Sequence, residues 1–397
     1  MRGHLVQRHK GSWSLVVDVG REVDPATGLS KRKQKWVTFH GTKKEAENAL
    51  SKMVQDVYRG EFVEPSRRTL GEWLAEWVDK AIKPPARTPR AYETYRSVIS
   101  RHLTPALGGL PLQGLKAADL KRYYDEKGQG ARPLDPSTLE QHHTILHSAL
   151  QAAVLEGLVQ RNVAKLVVGK PHAPRDRADA RQHCWAADEA RAFLAAAKAA
   201  GPQAAAFYAL ALDTGMRRNE LAGLQWKDLD LVNARVTIER QLATGGSAPT
   251  FGPVKGKVAR TIEISLETVA LLRQHRGHQA ELRLRNGEHY RDRGLVFAKE
   301  WGEVQQQRRD HLGDPLAVNN IGQREFGRLT KTAGVRRIKF HGLRHTCATL
   351  LLQAGVPAHV VQRRLGHKKI EITLNVYAHA LPAQQQDAAA RLAAMLH

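Results

Sequence analysis

Cysteine is nearly absent from this 397-residue chain, which carries only Cys184 and Cys347. Two thiols cannot build a disulfide framework or a four-cysteine zinc site, so a reducing compartment and no structural metal are expected. Acidic residues are also scarce: 39 stand against 62 lysines and arginines, leaving a net charge of +23 and a pI near 10.2. A deficit of that size argues against a small neutral molecule as sole partner and for a polyanion. No apolar run approaches the roughly 20 residues that span a bilayer, and the polar stretch Met1 to Lys10 lacks the apolar core of a secretory signal. Nucleic acid is therefore favoured over anionic membrane, and the expected location is the cytoplasm. What is present is a normal globular composition, 42% hydrophobic and 25% charged, over a length that exceeds one typical core. Several domains are expected.

Three segments can be read. In residues 1–62, apolar and polar residues alternate through Trp13, Leu15, Val17 and Val19; a turn follows at Asp24, Pro25 and Gly28, and then a second strand from Lys35 to Phe39. Thr42 and Glu45 have capping-box spacing ahead of a helical stripe, Ala46, Ala49, Leu50, Met53, Val54 and Val57, so a hairpin or three-stranded sheet with one helix is predicted. Lys31, Arg32, Lys33 and Lys35 crowd the hairpin, and a strand pair can enter a DNA groove; a solvated charged turn explains them as well. Residues 68–168 read as all helical, near Leu70 to Ile82, Pro89 to Leu103, Ala117 to Lys127 and Ser137 to Leu155, with Trp77, Tyr92 and Tyr95 as core. Between the apolar stripes lie Arg87, Arg90, Arg96, Lys121 and Arg122, which suit phosphate contacts or any wet helix face. A polar, basic linker, Gly169 to Arg181, separates these from residues 180–397, a mainly α, α+β segment with helices such as Ala187 to Ala200 and Gln203 to Thr214 and strands at Arg235 to Arg240 and Arg260 to Ile264.

Cutting a phosphodiester without a metal needs a nucleophile, cations for the non-bridging oxygens and an acid for the departing oxygen. The third segment contains candidates for each. At Thr214-Gly215-Met216-Arg217-Arg218-Asn219-Glu220-Leu221, Gly215 can end one helix and Arg217 sits where the next opens, a favourable place for an anion; taken alone, a basic helix start with Glu220 paired to a neighbouring arginine is the simpler reading. At His341-Gly342-Leu343-Arg344-His345, His341 and Arg344 are i,i+3 on a helix that Gly355 closes. His341 and His345 imitate the zinc-binding H-E-x-x-H helix, but Gly342 replaces its glutamate and Arg344 repels a cation, so no metal is expected there. Leu365-Gly366-His367 falls at a helix end, and Tyr377 follows in Thr373-Leu374-Asn375-Val376-Tyr377.

Taken together and in order, Arg217, His341, Arg344, His367 and Tyr377 make the chain resemble the tyrosine recombinase (phage integrase) family with an arm-binding N-terminal domain. The stretches T-G-M-R-R-N-E-L, H-G-L-R-H-T, and L-G-H followed by N-V-Y carry the likeness. The resemblance implies a site-specific recombinase that cuts and rejoins DNA through a 3′-phosphotyrosine on Tyr377, integrating or excising a mobile element, with no cofactor and no ATP. It implies His341 as base, Arg217 and Arg344 on the non-bridging oxygens, His367 as a further hydrogen-bond partner, and Glu220 and His345 as supporting residues. The family lysine falls at Lys255 in Pro253 to Arg260, with Lys257 as substitute. Double-stranded DNA at core-type and arm-type sites, a homotetramer on DNA from a monomer in isolation, and an accessory bending protein or excisionase are the partners it implies. A topoisomerase of type IB and a non-catalytic DNA-binding regulator are the alternatives.

Overall fold

The computed structural model describes residues 3–23, 30–130, 132–172, 183–243, 250–254, 258–300, 311–368, 370–371, 374, 390 and 392–396. The chain divides into two compact units, Met1–Pro174 and Arg175–His397, each of which is described by itself. No helix among the described residues is long and apolar enough to cross a membrane.

The first unit opens with an antiparallel sheet, β1 (Gly3–His9), β2 (Ser12–Val23) and β3 (Ser30–His40), in the order β1-β2-β3. Its strands are the expected pair plus β1, which aligns Leu5 with Leu15 on one side while Val37 aligns with Leu15 on the other. The alternation of Trp13, Leu15 and Val17 puts all three on one face, where they are buried against Ala46 and Met53 of α1 (Lys43–Tyr58). That helix starts where the spacing placed it, Thr42 and Glu45 closing a reciprocal capping box. The turn expected at Asp24, Pro25 and Gly28 lies outside the described residues.

A second core in the same unit is helical. It uses α2 (Leu70–Trp77), continued by a π turn through Ile82, α3 (Pro89–Val98), likewise continued through Leu103, a short α4 (Thr104–Leu107), α5 (Ala117–Gln129) and α6 (Pro136–Leu155). Leu70, Trp73, Leu74 and Trp77 share one buried stripe, and Trp73 Nε1 donates to Ala149 O at 2.9 Å, so the indole's one polar atom is satisfied. Tyr123 and Tyr124 are buried likewise, each bonded through its hydroxyl to a histidine ring on α6. Trp77 is core, as its helical spacing predicted, whereas Tyr92 and Tyr95, expected there too, are only partly buried and pack against that core from outside.

In the second unit, α7 (Ala187–Ala199) and α8 (Pro202–Thr214) pack together, and α8 is buried on nearly every side from Ala205 to Ala211. A helix apolar all round belongs in a protein interior; the core around it collects Trp185, Phe193, Phe207, Tyr208, Phe297 and Phe326. A short α9 (Arg218–Ala222) follows, then β4 (Leu229–Asp230), β5 (Arg235–Ile238), β6 (Arg240–Ala243), β7 (Thr250–Pro253) and β8 (Arg260–Glu263). The single strand expected over Arg235 to Arg240 is two: β5 lies between β4 and β8, whereas β6 pairs, among the described residues, with β7. The switch comes at Glu239, and Arg240 there is held by ion pairs to Asp228 and Glu239. Next come α10 (Leu266–Asn286), packed on α8, a one-turn α11 (Val318–Asn320), α12 (Phe326–Thr332), α13 (Gly342–Gln353) and α14 (Ala358–Leu365). Cys347, Ala348 and Leu352 of α13 meet Val361 and Leu365 of α14 in a small core of their own.

Candidate active site

Two helix C-termini form the floor of the site. Helix α8 ends at Gly215 (φ +62°) and α14 at Gly366 (φ +68°), both left-handed caps that a side chain adopts only at a cost. At Gly215 there is also no room: a Cβ would come within 2.4 Å of Leu365 Cδ2. Such ends leave carbonyls without helical partners and carry partial negative charge, so they call for cationic donors. Arg344, on the first turn of α13 and only 3% exposed, supplies them, donating from Nη1 to Gly215 O at 2.8 Å and from Nη2 to Leu365 O at 2.6 Å. Arg217 Nη2 points to the next carbonyl, Gly366 O, at 3.4 Å. Two arginines separated by more than a hundred residues thus end on adjacent carbonyls.

Arg217 is fixed at both its ends. It is the N-cap of α9; its backbone N–H donates to Glu220 Oε2 at 2.9 Å, and its Nη1 donates to Glu220 Oε1 at 2.8 Å. Glu220 is fully buried. Burial works to raise its pKa, but hydrogen bonds and charge from Arg260 and Arg217 outweigh that and hold it below the usual carboxylate range. Arg260, at the start of β8, donates Nη2 to Oε2 at 2.7 Å and Nη1 to Oε1 at 3.2 Å. Arg364 pairs with Asp213 at 2.8 Å. Four guanidiniums and two carboxylates therefore gather around the two helix ends, an excess of positive charge suited to a tetrahedral anion.

Three histidines complete the group. His341, at the N-cap of α13, keeps only part of its surface in solvent and stands edge-on to His345, ring centroids 5.0 Å apart. Loss of water around each ring, followed by neighbouring positive charge, lowers all three pKa values: His341 by burial, Arg344 and Arg217, His345 to about 4 by burial, His341, Arg344 and His183, and His367 to about 4 by burial, Arg344, Arg217 and the other two rings. At neutral pH each ring is uncharged and can accept a proton. A groove of about 770 Å³, lined among others by Arg260, Thr261, Arg363, Arg364, His367 and Lys368, opens alongside.

The structure thus brings together Arg217, Glu220, His341, Arg344, His345 and His367 from three separate stretches of chain. Lys255, Lys257 and Tyr377 lie outside the described residues. The residue that sequence reasoning passed over is Arg260, although it stands in the very stretch searched for the family lysine. A signal was there: a buried glutamate with four donors needs a second cation, and among the described residues of that stretch the basic one placed on a strand is Arg260.

The candidate DNA contacts of the first unit are differently placed. Lys33 is exposed, Lys35 forms an ion pair with Glu64, and the side chains of Lys31 and Arg32 lie outside the described structure. Arg87 and Arg90 are exposed, and Arg96 lies over the ring of Tyr92 at 5.6 Å. Lys121 pairs with Asp125 at 2.9 Å and Arg122 with Asp119 at 3.2 Å, each on its own helix.

A preorganised cationic pocket with uncharged imidazoles at its rim is the equipment of a phosphoryl-transfer enzyme. The pattern described as the phage integrase family matches residues 185–384, and that of the phage integrase N-terminal SAM-like domain matches residues 69–128. The chain belongs to the phage integrase family and is a tyrosine recombinase, an enzyme that cuts and rejoins DNA strands in site-specific recombination. Among curated proteins it is similar to a XerC-like tyrosine recombinase of Caldanaerobacter subterraneus, 27% identical over 403 residues that cover 97% of this chain and 96% of that one. It is also similar to an integrase of Streptomyces ambofaciens, 28% identical over 351 residues and covering 85% and 82%. Its fold resembles that of the Tn1549 transposon integrase solved with a circular intermediate DNA, with a TM-score of 0.63, 20% identity and coverage of 82% and 99%. A lambda integrase tetramer bound to a Holliday junction gives a TM-score of 0.57 at 18% identity, covering 94% of each chain.

Proposed function

We propose that Tyr377 is the nucleophile and that the pocket around Arg217 and Arg344 binds the scissile phosphate. The phenolic oxygen attacks phosphorus, the bond from phosphorus to the 5′ oxygen breaks, and the products are a 3′-phosphotyrosine and a 5′ hydroxyl. A phenol titrates near pH 10, so it needs a base at neutral pH. His341 takes its proton, a role its partly exposed and uncharged ring supports. Arg217 and Arg344 hold the non-bridging oxygens, where preorganised guanidiniums offset the charge gained in the transition state. His367 adds a hydrogen bond, Glu220 and His345 support the others, and Lys255, with Lys257 as substitute, protonates the departing 5′ oxygen. The phosphotyrosine keeps the diester's bond energy, so the 5′ hydroxyl of a second strand reverses the step and completes the exchange.

The observation that carries this reading is the ending of Arg217 and Arg344 on the adjacent carbonyls Gly366 and Leu365 beside three uncharged histidines. Tyr377→Phe is expected to bind its DNA normally and to form no covalent adduct on a nicked duplex, as read by a denaturing gel. An adduct surviving that change would remove Tyr377 from the mechanism.

The partner is double-stranded DNA. Residues 68–168 serve as the core-binding domain and residues 1–62 as the arm-binding domain, each with exposed cations such as Arg87, Arg90 and Lys33. Four copies assemble on DNA from monomers, with a bending protein or excisionase as accessory partner; action on DNA fits a cytoplasmic location, at the nucleoid. The tail is the candidate assembly element: Leu392 and Leu396 are exposed in a short helical stretch, an apolar face to be covered by a neighbouring copy or, as the alternative, by its own domain. Deleting Gln384 to His397 tests this; unchanged synapsis on a mobility gel counts against it.

A further inference from the structure

Glu220 raises an electrostatic question. A buried carboxylate that accepts from both the backbone and the guanidinium of Arg217 positions that arginine, yet a one-to-one pair is neutral and competes with any phosphate for the same charge. The structure resolves this with a third member. Arg260 meets both oxygens of Glu220 at 2.7 and 3.2 Å, so that the carboxylate accepts four hydrogen bonds, its full capacity. The third donor of Arg260, Nε, reaches Arg364 O at 3.1 Å, the carbonyl one residue before the one that receives Arg344. Gly366 lies against the same side chain, since a Cβ there would stand 3.2 Å from Arg260 Cδ and Nη1. Arg260 is 11% exposed in its side chain and Arg217 24%.

We infer that Arg260 is a positioning residue for Arg217: it neutralises Glu220 in a two-pronged pair and ties it to the end of α14, so that Arg217 keeps both its place and its full positive charge for the scissile phosphate. This rests on the reading of Arg217 as a phosphate ligand given above. The positive charge of the triad is then directional. Glu220 is saturated from the β8 side, and the anion meets Arg217 and not Arg260.

The test uses the full-length chain on a nicked duplex carrying its own recombination site, in two forms. One has the natural scissile phosphodiester, and the other a methylphosphonate at that position, which carries no negative charge and asks less of a cationic ligand. Arg260→Gln is expected to slow single-turnover strand cleavage on the phosphodiester on the order of 100-fold through misplacement of Arg217. DNA affinity should change by less than about threefold, and the loss on the methylphosphonate should be about tenfold or less. Arg260→Lys keeps the charge but not the fork, and an intermediate loss of about tenfold is expected; because it retains an ion pair with Glu220 it also serves if the glutamine variant folds poorly. Arg217→Ala is the reference and should show the same substrate dependence. Equal losses on the two substrates for the Arg260 variants, with Arg217→Ala still discriminating, would make Arg260 merely structural and overturn the inference. No loss at all in Arg260→Lys and Arg260→Gln does the same. If Arg217→Ala itself fails to discriminate, the phosphate-binding reading of Arg217 falls, and the inference falls with it.

Discussion

Arginine and lysine occur throughout the chain, but the two units employ them in opposite ways. On α5 of the first unit, Lys121 and Arg122 reach no farther than acids three or four positions away on their own helix, and both stay in water. Around α8 and α14 of the second unit, Arg344, Arg260 and Arg217 reach across 129, 40 and 149 residues to backbone carbonyls or a buried carboxylate. An exposed pair in high dielectric is worth little and is free to exchange partners, whereas a buried guanidinium bonded to fixed acceptors cannot move without leaving them unpaired. The first arrangement suits affinity for a polyanion of any sequence. The second suits chemistry, because stabilising a transition state requires charges already in place when the reaction begins.

The largest difference is expected in stability. Arg344→Ala strips donors from two buried helix-end carbonyls, at roughly 1–3 kcal/mol each, and so costs about 2–6 kcal/mol in urea unfolding. If it proved no more damaging than Lys121→Ala, the contrast between the two arrangements would break. A smaller effect sharpens the comparison through pH. His345 and His367 are uncharged in the folded state, with pKa values near 4, and titrate near 6.5 when unfolded. Because the folded values are depressed, the stability they contribute is complete above pH 6.5 and is lost as pH falls from there toward 4. His345→Gln is expected to flatten that acid limb by at most about 1.4 kcal/mol per pH unit; an unchanged slope in unfolding experiments from pH 7 to 4.5 would mean the ring is protonated in the native protein. The smallest expected effect lies on the surface. Replacing Lys121 and Arg122 together by Ala should leave cleavage by bound enzyme unaltered and reduce the salt dependence of DNA affinity by about 0.9 for every phosphate these side chains neutralise. A weaker affinity with no change in that slope would show that neither side chain touches a phosphate.

Local patterns were legible. The capping box at Thr42 and Glu45, the stripe from Leu70 to Trp77 and the glycine end of α8 all depend on neighbours within a few residues, and the structure has each where its spacing placed it. Strand β1 was less visible, since Gly3 to His9 becomes a strand by pairing with β2, not by its own pattern. The break between β5 and β6 was hidden for the same reason: Arg235 to Arg240 reads as one strand until β8 and β7 claim separate halves. At the site, Arg217, His341, Arg344 and His367 could be named from their motifs, but the carbonyls of Gly215 and Leu365, the pairing of Arg364 with Asp213 and the part played by Arg260 could not.

Residue order alone settled the family, the nature of the reaction and the helices that carry the motifs, because capping, periodicity and motif spacing are short-range properties of a chain. Only folding decided which cations became buried and which stayed wet. Desolvation and charge depend on what packs against a group from elsewhere, so the uncharged state of His345 and His367 and the saturation of Glu220 by two arginines exist only once α8, β8, α13 and α14 have come together.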